Sequence, residues 1–158
     1  MSYTRSLGGA GIGARLRLLS EQVDGDAARV YAALGIKFEQ RWFGVLNQLA
    51  LKESATVGEL ASTLGITHVS ISQSRDSLEK AGLIRSEADK SDARRRRLVL
   101  TQAGRRFVTR LKPLWQSFDQ AALELAAEAG HLMSSLDRLD DALEQRSMFD
   151  RIMKHVNG

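Results

Sequence analysis

Apolar residues recur along most of this chain at steps of three and four, the spacing of one helix face. Ile12, Leu16, Leu19, Val23, Ala27, Val30, Tyr31 and Leu34 form the first such series. Gly25 sits between Asp24 and Asp26 as a point of interruption, and Gly35 stands where a left-handed residue would end the helix. Residues 1–10 (MSYTRSLGGA) are rich in Gly and Ser, and a frayed start is expected. A second helix is predicted over 41–51, with Trp42, Val45, Leu46 and Leu49 on one face, followed by a loop at Glu53-Ser54-Ala55.

The pattern then shortens. Thr56 with Glu59 three residues on is a capping box, which starts a helix from Val57 to Leu64 that stops at Gly65. Thr67 caps a helix over 68–81 that stops at Gly82. Residues 83–88 and 97–100 read as two strands around a charged loop, Asp89 to Arg96. Thr101 caps a helix expected to end near Leu111, before Pro113. A further long helix carries Leu114, Phe118, Ala122 and Leu125. After Gly130 the stripe continues through Leu132, Leu136, Leu139 and Leu143 to Phe149, Ile152, Met153 and Val156.

Two short helices around a glycine turn need a small residue at their contact and apolar residues that lock their angle. Ala61 stands at that contact, Leu64 and Ile66 flank Gly65, and Ile71 and Leu78 share one face of the second helix. An ordinary helical hairpin would show much of this. A hairpin tip with four cations (Lys90, Arg94, Arg95, Arg96), followed directly by Arg97, favours a winged helix-turn-helix over a plain hairpin. The expected fold class is mainly α (α+β), with N- and C-terminal helices forming a dimerisation region. Residues 1–35 would supply an N-terminal dimerisation helix, 36–111 the DNA-binding domain and 112–158 the C-terminal dimerisation helices.

Charge sharpens this reading. The 158 residues carry a net charge of +4, but from Lys52 to Arg110 twelve Lys/Arg face seven Asp/Glu, while from Asp119 to Asp150 two face eight. One basic and one acidic segment are expected when a single face meets phosphates. An apolar share of 43% with 27% charged is ordinary for a globular protein. No apolar run approaches the ~18 residues that span a bilayer, and the N-terminus lacks a signal-like apolar core, so a cytoplasmic protein without membrane partners is expected. The chain has no cysteine, which removes disulfides, thiol redox sensing and cysteine-ligated zinc.

No catalytic constellation or cofactor motif is present, and no cofactor or enzymatic activity is expected. His68, His131 and His155 form no i, i+4 pair. The glycine-rich Gly8–Gly13 stretch follows no strand, so it is not a dinucleotide fingerprint. The candidate DNA contacts are Thr56 and Thr67, at helix starts where backbone N–H groups suit phosphate oxygens, and His68, Ser70 and Gln73 in the first turns of the second helix. Gln73 can pair bidentately with adenine, and His68 can donate to guanine or phosphate. Ser70 reads equally as a plain exposed serine. Lys90, Asp92, Arg94, Arg95 and Arg96 make up the wing.

The residues Leu83-Ile84, Asp92-x-Arg94 and Leu98-Val99-Leu100-Thr101-x-x-Gly104, with the preceding VGELASTLGI and SLEKAGLI segments, resemble the MarR family of bacterial transcription regulators. The resemblance covers about Gly35 to Leu111. It implies a winged-helix homodimer on double-stranded DNA, helices from both chain ends intertwining, and one recognition helix per major groove. It also implies that Arg94 reaches the minor groove while Asp92 holds it. A small aromatic effector bound between dimer helices and DNA-binding lobe is implied too, with Tyr31, Phe38, Arg41, Trp42 and Trp115 as candidate lining residues, although an aromatic at such a position is more often simply core. The sequence departs from the family where Gln73 replaces a common basic residue, and where Ser74 and Arg75 replace apolar ones. Arg75 is left with two readings, outward to phosphate or across the helix–wing seam.

Two amphipathic segments at opposite ends favour a helical interface with a second copy over an intramolecular cap. A symmetric dimer then predicts half-sites about 10 bp apart. The expected function is a sequence-specific regulator, in the repressor mode. The alternatives are a winged-helix protein-interaction module and the regulatory part of a larger enzyme.

Overall fold

A computed structural model of the protein describes residues 3–89 and 95–156. Eight helices and three strands are present among them: α1 (Tyr3–Ser6), α2 (Ile12–Ala33), α3 (Trp42–Lys52), β1 (Ser54–Ala55), α4 (Val57–Leu64), α5 (His68–Lys80), β2 (Ile84–Ala88), β3 (Arg96–Leu100), α6 (Gln102–Glu128), α7 (Leu132–Gln145) and α8 (Met148–Val156), with a 3-10 turn at Gly8–Gly11 between α1 and α2. The chain divides into two compact units, Met1–Lys112 and Pro113–Gly158. No helix among the described residues is long and apolar enough to cross a membrane.

The first unit is a winged helix-turn-helix. Thr56 Oγ1 accepts from the Glu59 amide at 3.1 Å, and the Glu59 carboxylate accepts from the Thr56 amide at 2.7 Å, completing the capping box. Gly65 ends α4 at φ 64°, a left-handed conformation open to glycine. Thr67 Oγ1 accepts from the Ser70 amide at 3.1 Å and starts α5. Trp42, Val45, Leu46, Leu49, Leu60, Ala61, Ile71 and Leu78 are buried together with Leu98, Leu100, Val108 and Leu111. The departure at Ser74 is accommodated by hydrogen bonding. Ser74 is buried, and its hydroxyl can donate to the Ser70 carbonyl at 3.0 Å. Beside it the indole N–H of Trp42 donates to Ser77 Oγ at 2.7 Å. These bonds meet the requirement that buried polar groups be paired.

Four expectations need correction. Ser54-Ala55 is a strand rather than a loop: it pairs antiparallel with β3, Ser54 opposite Val99 and Ala55 opposite Leu98, giving the sheet order β1-β3-β2. A two-residue strand has no period to read, so only its partner reveals it. The helix from Gln102 does not end before Pro113 but runs through it to Glu128. Proline removes the amide that would reach the Thr109 carbonyl. Both Pro113 and Thr109 are exposed, so water can serve that carbonyl. Gly25 leaves α2 unbroken. At the chain start, Tyr3–Ser6 is helical rather than frayed.

The wing is closed onto the helices at one crowded point. The Leu83 carbonyl accepts from the Thr101 amide at 3.0 Å, and the Thr101 hydroxyl donates to the Gly82 carbonyl at 2.7 Å. A Cβ on Gly104 would overlap the Leu83 carbonyl oxygen. Gly104→Ala should therefore cost about 1–3 kcal/mol as an overpacked site. Gly25→Ala, where no atom lies within 4 Å of an added Cβ, should instead stabilise by about 0.5–1 kcal/mol. Urea unfolding of the two variants checks both signs.

Candidate nucleic-acid interface

The first turns of α5 present a free face. His68, Val69 and Gln73 are exposed, and Ile71, Ser74 and Leu78 turn inward. Spacing four apart places Val69 and Gln73 on one side, with Asp76 a turn further on. Val69, 66% exposed, was not among the sequence candidates. Its position out of phase with Ile71 and Leu78 is the signal that could have found it, and a methyl pair there can meet a thymine methyl. The His68 ring lies near Gly58 of α4, where an added Cβ would meet Cε1 at 3.5 Å. Ser70 is half-buried and its hydroxyl lies 2.9 Å from that of Thr67. The hydroxyls of Thr56 and Thr67 are both engaged as helix caps.

Arg75 lies at the seam between α5 and the sheet. Its guanidinium donates to Asp76 through Nε at 2.9 Å and Nη2 at 2.7 Å. It shares a cleft with Glu79, Ile84, Arg85, Ser86 and Arg96. The side chain keeps about a third of its surface open to solvent, so both readings, outward to phosphate and across the seam, remain. On the wing, Arg95 and Arg96 are exposed, and Arg96 donates to the Ser86 carbonyl at 3.0 Å. Lys90, Asp92 and Arg94 lie outside the described residues.

In the sequence Arg97 is one more cation at a strand start, yet in the structure it ties several elements together. It pairs with Glu59 at 3.2 Å and Asp89 at 3.3 Å. Glu59 is held below its ordinary carboxylate value, first by the hydrogen bond from the Thr56 backbone. Lost hydration opposes this, and the hydrogen bond and charge of Arg97 reinforce it. For Arg97, burial would lower the value, but the hydrogen bonds and charges of Asp89 and Glu59 outweigh it, so the guanidinium is held more firmly charged.

The candidate effector residues fall into two sets. Tyr31 and Trp42 are buried, and Phe38 joins them, stacked on Tyr31 at 4.3 Å and edge-on to Trp42 at 5.8 Å. Phe38 also stacks on Phe107 at 6.3 Å. Arg41 is exposed and paired with Glu39 at 2.6 Å, at the mouth of a pocket of about 380 Å³ that Lys37, Trp42, Ser77 and Lys80 also line. Trp115 belongs to the second unit and is half-buried. Among the described residues no group of three or more His, Asp or Glu is placed to hold a metal ion.

Residues 34–95, from the residue after α2 through α3 and the helix-turn-helix to the base of the wing, match the MarR family model. The likeness to the MarR family thus rests on this segment. Several solved structures of similar fold are transcriptional regulators. One is MepR of S. aureus in a complex with DNA, at 19% identity and a TM-score of 0.70, covering 84% of this chain and 97% of the other. A probable transcriptional regulator from Pseudomonas aeruginosa is 25% identical with a TM-score of 0.69, over 81% of this chain and 96% of its own. PcaV from Streptomyces coelicolor, in complex with its natural ligand, is 20% identical with a TM-score of 0.67, over 90% and 98%. No curated protein matches the sequence.

The sign of the pH effect at this surface follows from Glu59. A carboxyl whose folded-state value is lowered contributes its stability above its unfolded value and loses it as pH falls through the folded one. The ordinary value is 4.5. The stability advantage of wild type over Glu59→Gln should therefore be constant near neutrality and shrink as the pH drops below about 4.5. Thermal unfolding of both proteins between neutral pH and pH ~3 measures it.

Proposed function

We propose that this chain is a homodimeric, sequence-specific DNA-binding transcription regulator of the repressor type, and not an enzyme. The observation that carries the reading is the exposed first face of α5, His68–Val69–Gln73, beside a wing whose Arg95 and Arg96 are open to solvent. A helix start can enter the major groove while the wing follows the backbone into the adjacent minor groove. A narrow minor groove carries enhanced negative potential, which suits Arg94, with Asp92 as its brace. The DNA complex of MepR is the relevant precedent among similar folds.

The second copy follows from unburied apolar faces. In α2, Ile12, Leu16, Leu19, Val23 and Val30 are all exposed, and in the C-terminal helices Leu132, Met133, Phe149, Ile152 and Val156 are exposed too. Faces of this kind on both end segments exceed what a monomer ordinarily leaves to water. A twofold dimer covers them and sets two recognition helices on half-sites about 10 bp apart. Occupancy of a promoter then blocks polymerase. An anionic aromatic effector would relieve that block by changing the spacing of the two recognition helices. The pocket at Arg41 supports such a ligand, since Lys37, Arg41 and Lys80 outnumber Glu39 around the edge of the Trp42 ring, and PcaV supplies the precedent of a bound natural ligand.

Fluorescence anisotropy against the protein's own upstream intergenic duplex and a scrambled duplex tests the reading. Salt-steep binding that prefers the native duplex is expected, and equal weak binding to both would sink it. Gln73→Ala should relax preference at one operator position at a cost of ~1–3 kcal/mol. Arg94→Ala should weaken binding to every sequence and flatten the salt slope by about one. Leu19→Glu with Ile152→Glu should yield monomers in sedimentation, with a matching loss of operator affinity.

A further inference from the structure

Four arginines stand in a row from Arg94 to Arg97, and by composition all four belong to one basic wing. Hydrogen bonding sets the last apart. A guanidinium carries five N–H donors in a planar fork. In Arg97, Nε donates to Ser54 Oγ at 2.9 Å. Nη2 donates to the Ser54 carbonyl at 3.0 Å and to Glu59 Oε2 at 3.2 Å. Nη1 donates to Glu59 Oε1 at 3.4 Å and to Asp89 Oδ2 at 3.3 Å. Each of the five N–H groups thus has an acceptor, and two carboxylates face one cation.

Those acceptors belong to three different places. Ser54 is on β1, Glu59 is in the first turn of α4 and closes its capping box, and Asp89 follows the last residue of β2. Arg97 itself is on β3. The Asp89 side chain is 9% exposed, and its amide donates to the Arg95 carbonyl at 2.9 Å, across the base of the wing. We infer that Arg97 is a positioning residue that locks the base of the wing to the start of α4, and that it makes no phosphate contact. α4 leads through the Gly65 turn into α5. The lock therefore sets where the wing cations stand relative to the recognition helix. The consequence for DNA rests on the reading under Proposed function, whereas the lock is a property of the free protein.

Arg97→Lys separates the two roles. A lysine keeps the charge and can still serve a phosphate, but its single ammonium cannot span Ser54, Glu59 and Asp89. Two readouts on the full chain decide. In free protein, amide hydrogen exchange at Glu59 and Asp89 should speed up together by about tenfold, while the core amides of Leu46 and Leu78 keep their protection. On DNA, affinity should fall at least ~fivefold with an unchanged salt slope, because no phosphate contact is lost. Glu59→Gln should weaken binding in the same direction although it deletes a negative charge beside DNA. Full affinity in Arg97→Lys, or a salt slope lowered by about one in Arg97→Gln, would make Arg97 a phosphate contact and overturn the inference. Unchanged or unlinked exchange at Glu59 and Asp89 would overturn it as well. If wild type binds no duplex at any salt, the DNA reading fails, and the exchange result still decides the lock. Should Arg97→Lys not fold, Glu59→Gln and Asp89→Asn carry the same two readouts.

Discussion

Everything at the candidate DNA surface leans on β3, a five-residue strand with partners on both edges. On one side it pairs with β2 from Ile84–Leu100 to Ala88–Arg96, and on the other with the two residues of β1. A lone hairpin is marginal in water. The third strand, short as it is, ties the hairpin to the residue that precedes the α4 cap. Leu98 and Leu100 face the core from the same strand, while Arg97 points its fork at Ser54, Glu59 and Asp89. Alternation along one strand thus supplies both the packing and the polar lock.

The helix-turn-helix is ordered by a different device. Its two helices are short, so their own propensity contributes little and tertiary packing must hold them. Capping at Thr56 and Thr67 satisfies orphan amides at both starts, and Leu60, Ala61, Ile71 and Leu78 seal the inner faces. The buried Ser74 hydroxyl and the Trp42 indole are satisfied locally, by the Ser70 carbonyl and by Ser77. With the inward face complete, His68, Val69 and Gln73 are left to solvent, which is where base edges would be read. This division of α5 into a packed face and a free one is what the proposed operator contact depends on.

Capping signals, glycine stops and the period of apolar residues were enough to place α3, α4, α5 and the wing strands to within a residue or so, because each rests on contacts between near neighbours. The candidate face of α5 was legible for the same reason: Gln73 falls out of phase with Ile71 and Leu78. Val69 obeys the same rule and was passed over because it is apolar. Arg75 could not be placed from its spacing, since whether it meets water or the wing depends on where β2 and β3 lie.

The sequence alone determined the capped helices, the glycine turns, the basic wing and the unshared apolar stripes at both ends. All of these are local in the chain or periodic along it. Tertiary structure decided the strand at Ser54-Ala55, the continuity of α6 through Pro113 and the separate role of Arg97. β1 exists only because β3, more than forty residues later, offers it a register, with Ser54 opposite Val99. Proline is tolerated in α6 where the helix surface it disturbs faces water. Arg97 differs from Arg95 and Arg96 in nothing that composition records. It is set apart because β1, the start of α4 and the residue after β2 together bring five acceptor atoms within reach of one guanidinium.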